Sequence, residues 1–161
     1  WELSLGRRPF THLSRRQIEE MSDRGARFGS HGARHLDLTR LGGEELDREV
    51  EGSKAAIEAI TGKTVKSFSY PFGRYNARAR SRVMGAGYRA AFSLYPAHGN
   101  EKIDRFALRR NGVYIIDTGL AIRCKLRPSP LYWFEEMKCR AINRVAILTP
   151  LIRRYFEGRD R

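Results

Sequence analysis

The chain has 161 residues, 41% of them hydrophobic, which is enough for one domain with its own core and gives no reason to expect two. Its 31 basic and 18 acidic residues leave a net charge of +13, which favours a polyanionic partner or, equally, reflects a solvated arginine-rich surface. No apolar run approaches the roughly 18 to 20 residues that cross a membrane, and two cysteines, Cys124 and Cys139, are too few for a disulfide framework.

The basic residues are dispersed, and none belongs to a zinc finger or an aromatic RNA-binding strand, so the sequence argues against nucleic acid as a partner. Trp1 is not followed by the basic-then-apolar pattern of a signal peptide, which favours a cytoplasmic or peripheral-membrane location. Because Trp1 stands where an initiator methionine would, we expect the sequence to be cut from a longer gene product.

The first half of the chain alternates between helix and strand patterns. Ser14 and Gln17 form a capping box for a helix that Gly25 ends, and residues 26–30 alternate as a strand. A helix is predicted over 43–61, with acidic residues in its first turn and an apolar stripe along one face.

Residues 65–115 continue the alternation of helix and strand patterns. The patterns predict strands over 65–70, 88–94 and 106–115 and a helix over 77–86. Repeated strand, loop and helix units predict an α/β fold with mostly parallel strands, whose functional groups gather at the carboxyl ends of the strands. This region, residues 1–125, is predicted to be one domain.

Residues 126–161 are predicted to form a separate basic helical tail. After a short helix over 117–126, residues 131–156 have the pattern of a long basic amphipathic helix with a kink near Pro150. This helix either docks on the core or contacts a membrane surface or a partner, since aromatic and aliphatic residues alternate with Arg and Lys.

Two histidines four residues apart are the main chemical signal. His31 and His35 follow the predicted strand 26–30, so the strand would fix the first imidazole and a turn would bring round the second. Neutral histidine is the commonest protein ligand for zinc and related metals, which makes the pair a candidate metal site. The turn Pro71-Phe72-Gly73 follows another strand, so it is expected at the same rim of the sheet.

These residues resemble motifs of the polysaccharide deacetylases of the NodB-homology type. GSHGARHLDLTRL, at 29–41, resembles the second motif, H-[S/T]-x-x-H followed by a DLT-like turn, and VKSFSYPFGRYN, at 65–76, resembles the third motif in its F-x-Y-P-[Y/F]-G variant. RFALRRNGV, at 105–113, resembles a later strand of the family. The resemblance covers roughly residues 10 to 115.

The resemblance implies a partial, distorted (β/α) barrel and a metal-dependent hydrolase that removes acetyl groups from N-acetylated sugars. A divalent metal, usually zinc, with cobalt or nickel as alternatives, would be held by two histidines and one aspartate. By that match His31 and His35 are metal ligands. Tyr70, Pro71, Phe72 and Gly73 would line the substrate groove, and the Phe72 N–H would stabilise the oxyanion.

The family's first motif, a T-F-D-D-like strand end that supplies the third ligand and the catalytic base, has no counterpart in residues 1–25. Asp23 and Asp37 are not credible substitutes, because Asp23 falls inside a helix and Asp37 fits a turn. No late L-x-H motif supplies the general acid, and His98 is not in that context. We therefore expect little or no activity from this chain alone.

Three further positions depart from the family pattern. Gly32 replaces a Ser or Thr that would steady the metal loop, and Arg34 places a cation beside the ligands. Ser69 stands where many members have an Arg that orients the base, although the variant without this Arg is common.

Three interpretations remain open from the sequence. In the first, residues 1–125 are the C-terminal two-thirds of a working deacetylase domain whose first strand and helix are missing from the sequence. In the second, the chain is an inactive remnant that binds metal, glycan or a partner. In the third, it is a basic protein that binds a membrane surface or nucleic acid through 131–161. An uncovered barrel edge also predicts self-association.

Overall fold

The computed structural model describes residues 12–94, 104–110, 112–113, 117–126 and 130–146. The helices are α1 (Arg15–Asp23), α2 (Gly43–Asp47), α3 (Ser53–Thr61), α4 (Ala77–Gly85), α5 (Gly119–Leu126) and α6 (Tyr132–Ala146). The strands are β1 (Ser67–Ser69), β2 (Ala90–Ser93) and β3 (Leu108–Arg109). Short 3-10 turns cover Leu38–Arg40 and Pro71–Gly73.

The three strands form a parallel sheet in the order β1-β2-β3. The predicted strand over 26–30 contributes one bridging residue, Ser30, which pairs in parallel with Phe68. The Ser30 N–H donates to the Ser67 carbonyl at 2.9 Å, and the Ser30 carbonyl accepts from the Ser69 N–H at 2.8 Å. The α/β architecture with parallel strands is thus confirmed, while closure into a barrel and self-association at its edge stay predictions.

The core lies between the sheet and the helices that follow its strands. Phe68 of β1 packs against the rings of Tyr70 and Tyr88, with centroids 5.5 and 5.2 Å apart. The fully buried members of this core are Leu38, Val50, Phe68, Tyr70, Ala79, Val83 and Ala91. Burial of this set fixes β1, and therefore the segments at its carboxyl end.

Helix boundaries follow the capping chemistry in the sequence. Ser14 Oγ accepts from the Gln17 N–H, and the Gln17 side chain accepts from the Ser14 N–H at 2.8 Å, as the capping box predicts. Asn76 Oδ1 accepts from the Ala79 N–H at 2.9 Å to begin α4, and Gly62 ends α3 at φ 63°.

The predicted helix over 43–61 is interrupted by a π-helical turn at Arg48–Gly52, between α2 and α3. Ser53 Oγ donates to the Glu49 carbonyl at 2.6 Å, so a side chain supplies a donor to a helix carbonyl at this point. The wider turn includes Glu49 and Val50, both fully buried. A π turn of this kind is often found beside a functional site.

Helices α5 and α6 pack together through an ion-pair cluster. The Asp117 carboxylate pairs with Lys125 and with Lys138, the latter at 2.6 Å, and Lys138 also lies 2.7 Å from Glu135. Trp133, Phe134 and Met137 are exposed. Residues 147–156 of the predicted long helix, with the Pro150 kink, lie outside the described residues, so the amphipathic tail, its membrane contact and a domain boundary at 125 stay predictions. Within the described ranges, no helix has both the length and the apolar character to cross a membrane.

Candidate metal centre

The turn after Ser30 brings the two predicted ligands together. The His31 and His35 rings lie with their centroids 4.8 Å apart and their planes at 72°. The Ser30 pairing with Phe68 anchors the start of this turn at the carboxyl end of the sheet. Two imidazoles therefore share one rim, as their spacing predicts.

Hydrogen bonding fixes the orientation of the His31 ring. His31 Nδ1 lies 2.6 Å from the Ser69 carbonyl oxygen, which can only accept, so Nδ1 carries the proton. The other nitrogen, Nε2, is then the unprotonated one and is available as a ligand. A backbone carbonyl that holds the second nitrogen is the usual partner of a metal-binding histidine.

Both imidazoles are shifted toward the neutral form. Partial burial of its ring lowers the pKa of His31, with a further decrease from the charge of Arg110, against the opposing effect of the Ser69 hydrogen bond. Burial likewise lowers the pKa of His35, helped by the neighbouring His31. The neutral form is the one that binds a metal.

His35 meets the third-motif turn directly. Its ring lies 4.6 Å from the Phe72 ring, measured between centroids, at an interplanar angle of 65°. Tyr70 and Pro71 are fully buried and Gly73 is buried, whereas Phe72 is partly exposed. Of the four predicted groove residues, Phe72 thus presents its side chain beside the histidines, and Tyr70 packs in the core with its hydroxyl donating to the Phe106 carbonyl at 3.0 Å.

A buried carboxylate, not predicted as a site residue, holds the loop between the histidines. Glu49 Oε2 accepts from the N–H groups of Ala33 and Arg34, each at 3.0 Å, and its Oε1 accepts from Arg34 Nε at 2.8 Å. The cation expected beside the ligands is therefore paired with Glu49 and, at 3.1 Å, with Glu45. The signal in the sequence was the position of Glu49 three residues after Leu46 and next to Val50, on the apolar stripe.

The position of Gly32 leaves no room for a side chain. It holds φ 80°, and a Cβ added there would lie 2.9 Å from Glu49 Oε2. Glycine thus lets the loop approach the Glu49 carboxylate closely.

The other candidate carboxylates are engaged elsewhere. Asp37 accepts from the Thr39 N–H at 3.1 Å and from Arg74 at 2.7 Å, and Asp23 is exposed on α1. Within the described ranges, no group of three His, Cys, Asp or Glu side chains could hold a metal ion. His98 lies outside those ranges.

The donor chemistry nevertheless fits two of the three ligands of a zinc site. Both imidazoles favour the neutral form, one has its tautomer fixed, and two polar groups near them lack partners. Ser69 Oγ and Arg110 Nε are buried, and neither has a hydrogen-bond partner in the part of the chain that the structure describes. An additional polar or anionic group at this rim would satisfy them.

Comparison with known proteins places the chain in a family. The family model described as polysaccharide deacetylase matches residues 6–91, more than half of the chain. A Bacillus subtilis (strain 168) protein, YxkH, described as a polysaccharide deacetylase, is 28% identical over 99 residues, which is 62% of this chain and 36% of that protein.

Solved structures give the same picture. BC0361, a polysaccharide deacetylase from Bacillus cereus, is 30% identical with a TM-score of 0.53, and the match covers 61% of this chain and 31% of that one. The Streptococcus pyogenes deacetylase PplD, solved in complex with acetate, shares the fold at 22% identity and a TM-score of 0.55, over 61% of this chain and 43% of that one. The chain spans about a third of the length of YxkH and of BC0361.

Proposed function

Because the chain belongs to the polysaccharide deacetylase family, we propose that it forms part of a metal-dependent hydrolase that removes acetyl groups from N-acetylated sugars. The observation that carries this proposal is the paired arrangement of His31 and His35, with His31 Nδ1 held by the Ser69 carbonyl at 2.6 Å. The reaction would cleave a carbon–nitrogen bond that is not a peptide bond, in an oligosaccharide or polysaccharide.

The ligands proposed from this chain are His31 and His35, and the metal proposed is zinc, with cobalt or nickel as substitutes. When bound, a divalent metal of this kind would make its water acidic enough to attack near neutral pH and would polarise the acetamide carbonyl. The hydrogen bond from His31 to Ser69 would keep the ring aimed at the metal.

The Phe72 N–H is proposed as the donor that stabilises the oxyanion. Phe72 holds φ 57° at the middle of the 3-10 turn Pro71–Gly73, beside the His35 ring. The flanking backbone is fixed, because the Gly73 N–H donates to the Tyr70 carbonyl at 2.9 Å and the Arg74 N–H donates to the Pro71 carbonyl at 3.2 Å. A backbone N–H held in a fixed turn is the kind of donor that an oxyanion hole uses.

A carboxylate is proposed to complete the site as third ligand and base. Arg110 supports this proposal, since its guanidinium is partly buried, burial lowers its pKa, and its Nε has no partner in the described residues. The charge of Arg110 also lowers the pKa of His31, after the effect of burial. Ser69 Oγ could donate to the proposed carboxylate.

The test is acetate release from N-acetylated chitin oligosaccharides by the longest form of the protein that its gene encodes. We expect release that requires zinc, is abolished by chelation, and is lost in a His31→Ala, His35→Ala double variant. Release that survives both treatments would contradict the proposed function.

A second candidate, binding of glycan or a partner without catalysis, is favoured by the lack of a third ligand among the described residues. The same assay separates the two, because oligosaccharide binding without any acetate release in the longest form would support the second.

A further inference from the structure

We propose that Glu49 is the positioning residue of the histidine pair, so that its carboxylate, from a helix outside the loop, sets the geometry in which His31 and His35 meet a metal. The inference rests on the metal site proposed above. It assigns a role to a residue that neither touches the metal nor lies in the histidine motif.

The first support is the burial and full engagement of the carboxylate. Glu49 is 0% exposed, and its two oxygens accept three hydrogen bonds, from the N–H groups of Ala33 and Arg34 and from Arg34 Nε. Burying a charged carboxylate is costly unless it is paired and hydrogen-bonded. All three bonds of its side chain go to the loop between the histidines, so the hydrogen bonds that offset the cost of burying the carboxylate also hold that loop in place.

The second support is the shape of the loop around one oxygen. Successive N–H groups of Ala33 and Arg34 converge on Glu49 Oε2 at 3.0 Å each, and the next residue, His35, holds φ 58°. Converging backbone N–H groups form an anion-binding concavity, which here takes a side-chain anion. A left-handed histidine is uncommon and needs surrounding structure to hold it.

The third support is a second tie between the same helical segment and the start of the loop. Ser53 Oγ lies 2.6 Å from Ser30 Oγ, and Ser53 also donates to the Glu49 carbonyl at 2.6 Å. Ser30 immediately precedes His31. The segment from Glu49 to Ser53 therefore holds the loop before the first ligand and between the two ligands.

The charge of Glu49 should matter more than its shape. In Glu49→Gln the amide has one acceptor oxygen, so it cannot serve both the two backbone N–H groups and Arg34 Nε. We expect faster amide exchange at Ala33 and Arg34 and a zinc affinity about 10- to 100-fold lower, the usual effect of losing an outer-shell partner.

The experiment measures amide hydrogen exchange by NMR and zinc affinity by competition with a chromophoric chelator, in the same samples. Two variants serve as matched controls. Glu45→Gln removes the other carboxylate on Arg34, and Val50→Ala opens a cavity at the fully buried neighbouring residue. Both controls should keep the zinc affinity and the exchange rates at Ala33 and Arg34 close to those of the wild type, at a temperature where every variant is folded.

The inference is overturned if Glu49→Gln leaves both readouts unchanged, or if Val50→Ala lowers zinc affinity as much as Glu49→Gln does. If Glu49→Gln does not fold, Glu49→Asp, which keeps the charge but withdraws it by one methylene, is measured in its place. If the longest form of the protein that its gene encodes binds no zinc, the proposed function is contradicted. In that case the exchange rates alone decide the inference, since they need no metal.

Discussion

The rings of His35 and Phe72 touch edge to face, 4.6 Å between centroids, and both residues hold positive φ, at 58° and 57°. Within the described residues they are the two non-glycine positions with positive φ. Each belongs to a different predicted motif, and their contact joins the histidine loop to the third-motif turn. Backbone strain is thus concentrated where the proposed site lies.

At position 72, glycine should give a more stable protein than alanine, which is the reverse of the usual order of stability. Phe72→Gly and Phe72→Ala both remove the ring, but only alanine keeps a Cβ that left-handed backbone disfavours by about 1 to 2 kcal/mol. We expect Phe72→Gly to have the higher free energy of unfolding in urea denaturation. At an ordinary position alanine would be the more stable by about 0.4 to 1 kcal/mol, so that order here would show that the turn is not strained.

A side chain at Gly32 should be destabilising for two separate reasons. Gly32→Ala places a Cβ at φ 80° and 2.9 Å from Glu49 Oε2, whereas Gly62→Ala meets the same kind of backbone, φ 63°, with nothing within 4 Å. We expect Gly62→Ala to cost about 1 to 2 kcal/mol, the penalty for a Cβ on left-handed backbone, and Gly32→Ala about 1 to 3 kcal/mol more, from overpacking. Equal losses in urea denaturation would mean that the carboxylate does not press on the loop.

Structural features with a local cause in the sequence could be predicted, and features that depend on distant residues could not. Ser14 with Gln17, Asn76 and Gly62 act through bonds or conformations within a few residues, and the sequence predicts all of these helix ends. The predicted strand over 26–30 is observed only as a single bridge between Ser30 and Phe68. Its extent could not be predicted locally, because the pairing residue lies far along the chain.

In the candidate site, the histidine pair could be predicted from local spacing, whereas Glu49 and Arg110 could not. The spacing of His31 and His35 predicts a pair, and the pair forms. Glu49 was missed because an acidic residue in a helix is usually solvated, although its place on the apolar stripe indicated burial. Its contacts with the Ala33–Arg34 loop depend on the folded chain and have no local signal. Arg110 was missed because its environment is set by burial in the folded chain.

The Arg80–Asp104 ion pair should make stability depend on acid pH. Arg80 Nε lies 2.6 Å from Asp104 Oδ2, and this hydrogen bond holds the pKa of the Asp104 carboxyl below its usual value. A carboxyl with a lowered folded-state pKa stabilises the fold above its unfolded-state pKa of about 3.9 and loses that contribution as pH falls through the folded-state value.

The free energy of unfolding of the wild type should therefore fall as pH is lowered from about 5 through the folded-state pKa, and Asp104→Asn should remove part of that fall. Asp23→Asn is the matched control, because Asp23 is exposed on α1 and has no ion pair in the described part of the chain. Urea denaturation across this range checks the prediction, and parallel pH profiles for the wild type and Asp104→Asn would refute it.

The measurement that bears most directly on the central claim is the zinc content, after equilibrium dialysis against zinc, of the longest form of the protein that its gene encodes. The wild type is compared with the His31→Ala, His35→Ala double variant, and His12→Ala, at an exposed histidine away from the pair, is the control. The account predicts that the wild type and His12→Ala take up a single zinc ion that the double variant lacks. Equal zinc in all three, or none in any, would contradict a metal site at the histidine pair.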